Sequence, residues 1–370
     1  MLSNHSIKVI DIPFLPREID AAILDERGLL ASGEELSKVS SIQTTSAKCH
    51  KLSKKTYQLK HALITTPGAL FAISGKQGTA GKGNEGKVKW VQNTHTGTWS
   101  AMKVQASKNS LWGNDISYLD RIGELVKEND EHVKFQYRGK RSVIKKCFLM
   151  QGKPGISLYD YINEKVNNNL ILNLKIIANI IAACQRLKDQ DIFHGDIKLE
   201  NIMLDPANAE IALIDYGFSE NLDANKQFEK IPKELKGTAK YLAPEILIRY
   251  KDIALTNSTF AQLITMLHLN LSEKVNTLSP EQVTMYSIGI IAAELLNFMD
   301  LDNLPSLNRA GNIAYLSMDT TMLDQLVDFV LNMININPGM RPSYQMATSF
   351  FSDFSSKLKD ANNASPLSEL

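Results

Sequence analysis

A chain of 370 residues that is 44% hydrophobic and 22% charged can bury a sizeable core, and its length suits one bilobal unit or two domains. A net charge of +1 gives no reason to expect a dedicated nucleic-acid or membrane surface. Three cysteines, Cys49, Cys147 and Cys184, are odd in number, far apart and without metal-ligand spacing, which points to a reducing compartment and a cytoplasmic protein.

Residues 1–66 hold short apolar patches and then KVSSIQTTSAKCHKLSKKT, the composition of an extension followed by a flexible, mildly basic linker. No basic-then-apolar leader pattern marks the first residues, and the longest apolar stretch, ILNLKIIANIIAAC, carries Lys175 and several Asn and is expected to fall short of a membrane span. From Ala69 the pattern turns to short β segments: ALFAIS, KWVQN and TWSAMKVQ. Between the first two, Gly81, Gly83, Gly86 and Val88 spell G-x-G-x-x-G-x-V, in which glycine lets backbone N–H groups approach nucleotide phosphates closely.

In ISYLDRIGELVKENDEHV, Ile116, Leu119, Ile122 and Val126 recur at helical spacing, which predicts a helix through this stretch. VKFQYRG and SVIKKCFLM read as strands. Ser157 with Asp160 three residues later is a variant capping box at the start of a helix. Ile171 to Lys188 reads as a mostly buried helix, with Cys184 in the core.

That helix delivers the chain to His194–Asn201, HGDIKLEN, and one strand later to Ile211–Phe218, IALIDYGF. Asp196 can orient a hydroxyl and accept its proton, and Lys198, two residues on, can neutralise a moving phosphoryl group. Asn201 and Asp215 offer hard oxygen ligands to Mg²⁺. Phosphoryl transfer needs little covalent chemistry from the protein, so positioned charges of this kind do most of the work.

These paired blocks resemble the protein kinase superfamily, with HGD where HRD is usual. The resemblance implies an α+β, bilobal fold: a small β-rich lobe over residues 67–152 and a helical lobe over 153–356. It implies that ATP is held by Gly81, Gly83, Gly86, Val88, Ala101 and Lys103, the lysine pairing with the α and β phosphates. Met150 would stand at the gatekeeper position, Gln151, Gly152 and Lys153 would form the hinge, and Met203 the floor under adenine. Lys103 then needs a carboxylate from the helix that follows; Glu124 is the expected partner, with Asp120 and Glu128 as alternatives.

GTAKYLAPE, which closes the activation segment Asp215–Glu245, resembles the loop with which Ser/Thr protein kinases hold a peptide. Small-molecule kinases also write HGD, but lack this loop and Lys198. Glu245 would pair with Arg341 as a buried brace. In many protein kinases an arginine before the catalytic aspartate pairs with an activation-segment phosphate; here that residue is Gly195, so a phosphate on Ser219, Thr238 or Tyr241 would lack its usual partner. The segment would instead be held by Phe228, Ile231 and Leu235 or by contacts from the insertion, and the Thr238 hydroxyl would bridge Asp196 and Lys198.

Residues 246–278 are an insertion relative to most kinases, containing TFAQLITMLHLNL and offering a surface for a protein partner. SPEQVTMYSIGIIAAELL follows as the central helix of the large lobe, capped by Ser279 with Pro280 in its first turn. Thr284 stands where an aspartate usually anchors the catalytic loop, and its hydroxyl can accept one hydrogen bond. Thr321 to Ile334 and Tyr344 to Phe354 read as closing helices, and 357–370 as a polar tail. The sequence is thus expected to encode an active Ser/Thr protein kinase using ATP and Mg²⁺ on protein substrates, in the style of an effector or viral kinase acting in a host cytosol. A pseudokinase scaffold and a small-molecule kinase are the competing classes.

Overall fold

The computed structural model describes residues 7–8, 18–19, 43–45, 56–64, 70–74, 79–83, 86–93, 99–105, 112–126, 134–137, 147–153, 155–163, 169–230, 235–272, 275, 277–298 and 320–364. The chain divides into two compact units, residues 1–155 and 156–370.

The first unit is built on an antiparallel sheet. Two short strands, β1 (Ile7–Lys8) and β2 (Glu18–Ile19), pair with each other outside it. The sheet itself runs through β3 (Gln43–Thr45), β4 (Thr56–Ile64), β5 (Leu70–Ser74), β6 (Thr79–Gly83), β7 (Gly86–Asn93) and β8 (Trp99–Gln105). After helix α1 (Trp112–Arg121) it is completed by β9 (Lys134–Tyr137) and β10 (Cys147–Gln151), in the spatial order β10-β8-β7-β5-β4-β3, with β6 on β7 and β9 on β4. Strand β4 corrects the expected boundary at residue 66. Nine residues assigned to an extension and linker, Thr56–Ile64, belong to the sheet: the first three pair with β3, and the later ones with β5 and, from His61, with β9 as well. The alternation in TYQLKHALI is the period-two signal that the surrounding Lys and Ser residues mask.

Helix α1 stops earlier than the apolar spacing predicts. Gly123 has φ +73°, its N–H bonds to Asp120 O at 3.1 Å, and the N–H of Glu124 bonds to Leu119 O at 2.7 Å. These two bonds are a Schellman termination, which needs a left-handed residue and finds it in glycine. Ile122 and Val126 therefore lie beyond the helix, and the chain turns along β10, with Val126 N–H bonded to Leu149 O and Gln151 N–H to Glu124 O.

The second unit opens with β11 (Ile156–Ser157) and α2 (Leu158–Asn163). Its capping box forms as expected: Asp160 N–H donates to Ser157 Oγ at 3.0 Å, and the hydroxyl donates to Asp160 Oδ2 at 2.8 Å. Helix α3 (Leu170–Asp189), capped by Asn169, is the axis of the lobe. By length and composition it could cross a membrane, contrary to the expectation from its Lys and Asn content, but over half of it is buried inside the lobe. Its polar groups are satisfied there: Asn173 donates to Leu295 O and Asn179 to Ala209 O.

Strands β12 (Ile192–Phe193), β13 (Ile202–Asp205), β14 (Glu210–Leu213) and β15 (Glu220–Asn221) frame the loops that follow, β13 pairing with β14 and β12 with β15. The helices α4 (Pro244–Arg249), α5 (Lys251–Ala254) and α6 (Ser258–Met266) carry the chain into and through the insertion. Helix α7 (Pro280–Leu295) is almost wholly buried and starts at the expected Ser279 cap, whose Oγ accepts from Gln282 N–H. Two helices close the lobe, α8 (Thr320–Met333) and α9 (Tyr344–Ala364). The tail expected from residue 357 is corrected in part, because α9 continues to Ala364 along α3 and buries Leu358. Phe351, Phe354 and Leu358 share one face, and nothing breaks the helix before Pro366.

Candidate active site

In the first unit, Gly81 lies opposite Val88 and Gly83 opposite Gly86 on the β6–β7 hairpin, so the glycine motif sits at a strand turn as its chemistry requires. Asn84 and Glu85 at its tip lie outside the described residues. Register carries the motif inward: Val88 faces Lys103 on β8, and Ala101 faces Met150 on β10. Ala101 and Lys103 are buried, Val88 and Met150 half-buried. Gly152 follows β10 directly, in a stretch held by Gln151, whose amide donates to Gly123 O at 2.9 Å.

Lys103 Nζ sits 2.6 Å from Asp115 Oδ2, with the two side chains 8% and 2% exposed. Asp115 lies in the first turn of α1, where its charge also complements the helix dipole. The expected partner, Glu124, is corrected: it lies past the Gly123 turn, and its carboxylate binds Lys153 at 2.5 Å. Asp120 is exposed on α1, and Glu128 lies outside the described residues. The missed signal was Gly123 itself, a helix stop that moves the available carboxylate to the other end of the helix.

In the second unit, four contacts converge on Asp196, which is buried. Oδ1 accepts from Thr238 N–H at 2.9 Å and from Thr238 Oγ1 at 2.9 Å. Oδ2 accepts from Asn201 Nδ2 at 3.1 Å and lies 2.6 Å from Lys198 Nζ. Lys198 also donates to Thr238 Oγ1 at 3.0 Å, so the threonine hydroxyl bridges acid and cation as the sequence suggested. A carboxylate has about four lone-pair sites, and these contacts fill them.

Asn201 donates a second bond to Asp196 O at 2.9 Å, and its backbone carbonyl accepts from Ile214 N–H at 3.0 Å, which sets it beside Asp215. Since its amide nitrogen is committed to Asp196, its oxygen is the atom left to act as a ligand. Asp215 holds φ +68°, a strained value for a non-glycine residue and one that clusters at functional sites. Among the described residues no group of three His, Cys, Asp or Glu forms a closed metal cage. A pair such as Asn201 and Asp215 fits Mg²⁺, which binds through one or two protein oxygens together with phosphates and water.

His194 ties these blocks together. Its Nδ1 accepts from Asp196 N–H at 3.3 Å, so Nε2 carries the proton and donates to Ile214 O at 3.1 Å. Burial holds its pKa below the ordinary 6.5, against the pull of Asp196 and Asp215. Its ring packs against Tyr216 at 5.0 Å, and its carbonyl accepts from Ser219 Oγ. Met203 lies half-buried on β13, opposite Ala212.

The Protein kinase domain family model matches residues 75–351. The chain belongs to the protein kinase family. Among its relatives, the mouse Citron Rho-interacting kinase is 26% identical over 174 residues, 45% of this chain and 8% of that protein. The mouse phosphorylase b kinase gamma catalytic chain, liver/testis isoform, is 42% identical over 90 residues, 24% of this chain and 21% of that protein. The serine/threonine-protein kinase SCH9 of Candida albicans is 30% identical over 177 residues, 45% of this chain and 21% of that protein. The chain thus spans less than a third of the length of these curated relatives.

Two further positions singled out in the sequence have clear geometry. Gly195 has φ +83°, and a Cβ built on it would meet Phe218 O at 2.2 Å, so no side chain fits there. Thr284 does not accept from the catalytic loop as its replacement of an aspartate suggested: its hydroxyl donates to Pro280 O at 2.8 Å within α7. The loop is braced instead by His194, Asn201 and Ser219, as above. Below it, Arg341 clamps Glu245 with two bonds of 2.7 and 2.8 Å, donates to Gln282 O and Asn335 O, and stacks over Tyr286.

The activation segment is tied along its length. Lys236 meets Glu220 at 3.0 Å, joining its two arms. Phe228 packs edge-on against Phe193 at 4.8 Å, and Leu235 packs against a buried cluster; Ile231 lies outside the described residues. Of the activation-segment hydroxyls, Ser219 is fully buried, and Tyr241 is buried with its hydroxyl donating to Glu294. Glu294 is itself paired with Lys240, and burial raises its pKa.

Proposed function

We propose that the protein is an active serine/threonine kinase that transfers the γ-phosphoryl group of ATP to hydroxyls of a protein substrate and needs no phosphate on its own activation segment. The observation that carries it is Thr238, bound to Asp196 through both N–H and hydroxyl while accepting from Lys198. This bridge fixes the acid and the start of GTAKYLAPE as one unit.

Bound Mg²⁺·ATP supplies the phosphoryl group and neutralises charge on its phosphates. Lys103, oriented by Asp115, would hold the nucleotide, and Asn201 and Asp215 would hold the cation. Because the Asp196 carboxylate is saturated, an incoming hydroxyl displaces Lys198 from Oδ2. Asp196 then accepts the hydroxyl proton, and the released ammonium moves to the phosphoryl group, where its charge is needed. The outer face of the insertion, with Ile253 and Leu255 exposed, is the surface we assign to a protein partner. The cysteine usage supports action in a reducing cytosol, the host's if the protein is an effector.

Purified protein incubated with radiolabelled ATP and mixed Ser, Thr and Tyr peptides tests this, with Asp196→Ala as control and a phosphatase-treated sample beside the untreated one. Transfer to Ser and Thr at equal rates in both samples, lost in the control, is expected. No transfer above the control, or a rate that collapses after phosphatase, would overturn the proposal.

A further inference from the structure

The insertion was expected to offer a partner surface and, as one alternative, contacts to the activation segment; its inner face is packed into the lobe. Leu263 and Ile264 on α6 are buried in one cluster with Leu247, Ala254 and Leu242, and Leu242 belongs to GTAKYLAPE. Leu235 and Ala239, also of the activation segment, pack against the same cluster. The returning chain is stitched down by Lys251, which donates to Leu271 O, and Arg249, which donates to Val275 O, both at 2.7 Å. Asn257 caps α6 through the N–H groups of Thr259 and Phe260.

Leu242 links this cluster to the catalytic acid. A Cβ on Gly237, whose φ is +109°, would lie 2.8 Å from Leu242 Cδ2, so the leucine rests directly on the backbone preceding Thr238. The turn is closed by Tyr241 N–H on Thr238 O and Leu242 N–H on Ala239 O. Elsewhere the same turn borders a cavity of about 50 Å³, lined among others by Gly195, Phe218, Lys236, Gly237, Leu242 and Tyr250. With glycine at 195, no side chain from that position fills the space or leans on the turn.

We propose that the apolar seam between α6 and Leu242 is a built-in clamp that positions Thr238 on Asp196, with Leu263 and Ile264 as positioning residues. The proposal rests on the kinase function above and deepens it by naming what takes the place of a regulatory phosphate. Packing suits the task because interlocked apolar side chains resist displacement at full density, and pH and phosphatases leave them untouched.

The test uses the full-length, unphosphorylated chain carrying Leu263→Ala, with Leu263→Met as the volume-conserving rescue, Leu263→Val as a milder truncation and Gln262→Ala as an exposed control on the same helix. Amide exchange over residues 236–243 and the kinetic constants for peptide and for ATP are measured. Leu263→Ala is expected to speed exchange in this window and to lower kcat by about 10²-fold, the scale of a small misplacement of a catalytic group, with KM for ATP unchanged. Leu263→Met should restore both, and Gln262→Ala should change neither. Should Leu263→Ala fail to fold, Leu263→Val must show the same changes in smaller measure. Unchanged exchange and kcat in a folded truncation would overturn the clamp while leaving the kinase function intact. If the wild type transfers no phosphate at all, the kinase function fails, and the exchange measurement alone still decides whether α6 holds the turn.

Discussion

Lys103 Nζ and Asp115 Oδ2 lie 2.6 Å apart, both side chains buried, at the start of a helix that ends before Glu124. A buried lysine left without its counter-ion is strongly destabilising, by ~3–5 kcal/mol. Asp115→Ala should therefore lower both thermal stability and phosphotransfer, the latter by about 10²–10³. Glu124→Ala should change the rate by less than about twofold, since it removes a partly exposed pair with Lys153 worth about 1 kcal/mol at most. Equal losses in the two variants, measured by melting and by peptide phosphorylation, would reverse the assignment.

Lys103→Ala and Asp215→Ala remove charge from the proposed nucleotide and metal sites. Each should reduce kcat/KM by about 10²–10⁴, or roughly 3–5 kcal/mol of barrier. For the half-buried Asp215, circular dichroism should show an unchanged fold, which separates a chemical loss from a structural one. A wild-type rate in either variant would sink the mechanism.

Thr238 gives Asp196 two hydrogen bonds, one of which depends on the hydroxyl. Thr238→Ala should slow transfer by roughly 10- to 100-fold, from the loss of a charge-assisted bond worth about 1.5–3 kcal/mol, and Thr238→Ser should recover most of it. A serine variant as slow as the alanine variant would show that the methyl group, and not the bridge, matters.

Gly195 separates steric from regulatory causes. Adding a methyl group puts Cβ against Phe218 O and strains a positive φ, so Gly195→Ala should lose about 1–3 kcal/mol of stability. Gly195→Arg should fare no better and should not create phosphate-dependent activation. A stable Gly195→Arg protein whose rate rises on phosphorylation would contradict both statements.

His194 makes stability depend on pH. Its folded-state pKa lies below the ordinary 6.5, so its contribution is complete above about 6.5 and is lost as pH falls through the folded value. Denaturation midpoints taken from pH 8 down to 5 should fall for the wild type. In His194→Gln, which keeps an acceptor and a donor but cannot titrate, that part of the slope should disappear.

The sequence by itself determined which polar groups meet around Asp196. Asp196, Lys198, Asn201 and Asp215 are close in the chain, on either side of one short hairpin, so local backbone geometry brings them together. The glycine hairpin, the Ser157 and Ser279 caps and the core helix Leu170–Asp189 were legible for the same reason: each is decided within a few residues. Even the Glu245–Arg341 pair was readable, through the family's spelling. What only the tertiary structure decided were relationships that no local pattern encodes. The partner of Lys103 depended on where Gly123 stopped a helix, and the strand Thr56–Ile64 on finding neighbours in β5 and β9. The inner face of the insertion depended on Leu242, because an amphipathic helix shows which side is apolar but not what covers it. Side-chain packing is short-ranged in space and long-ranged in sequence, and it decided these placements.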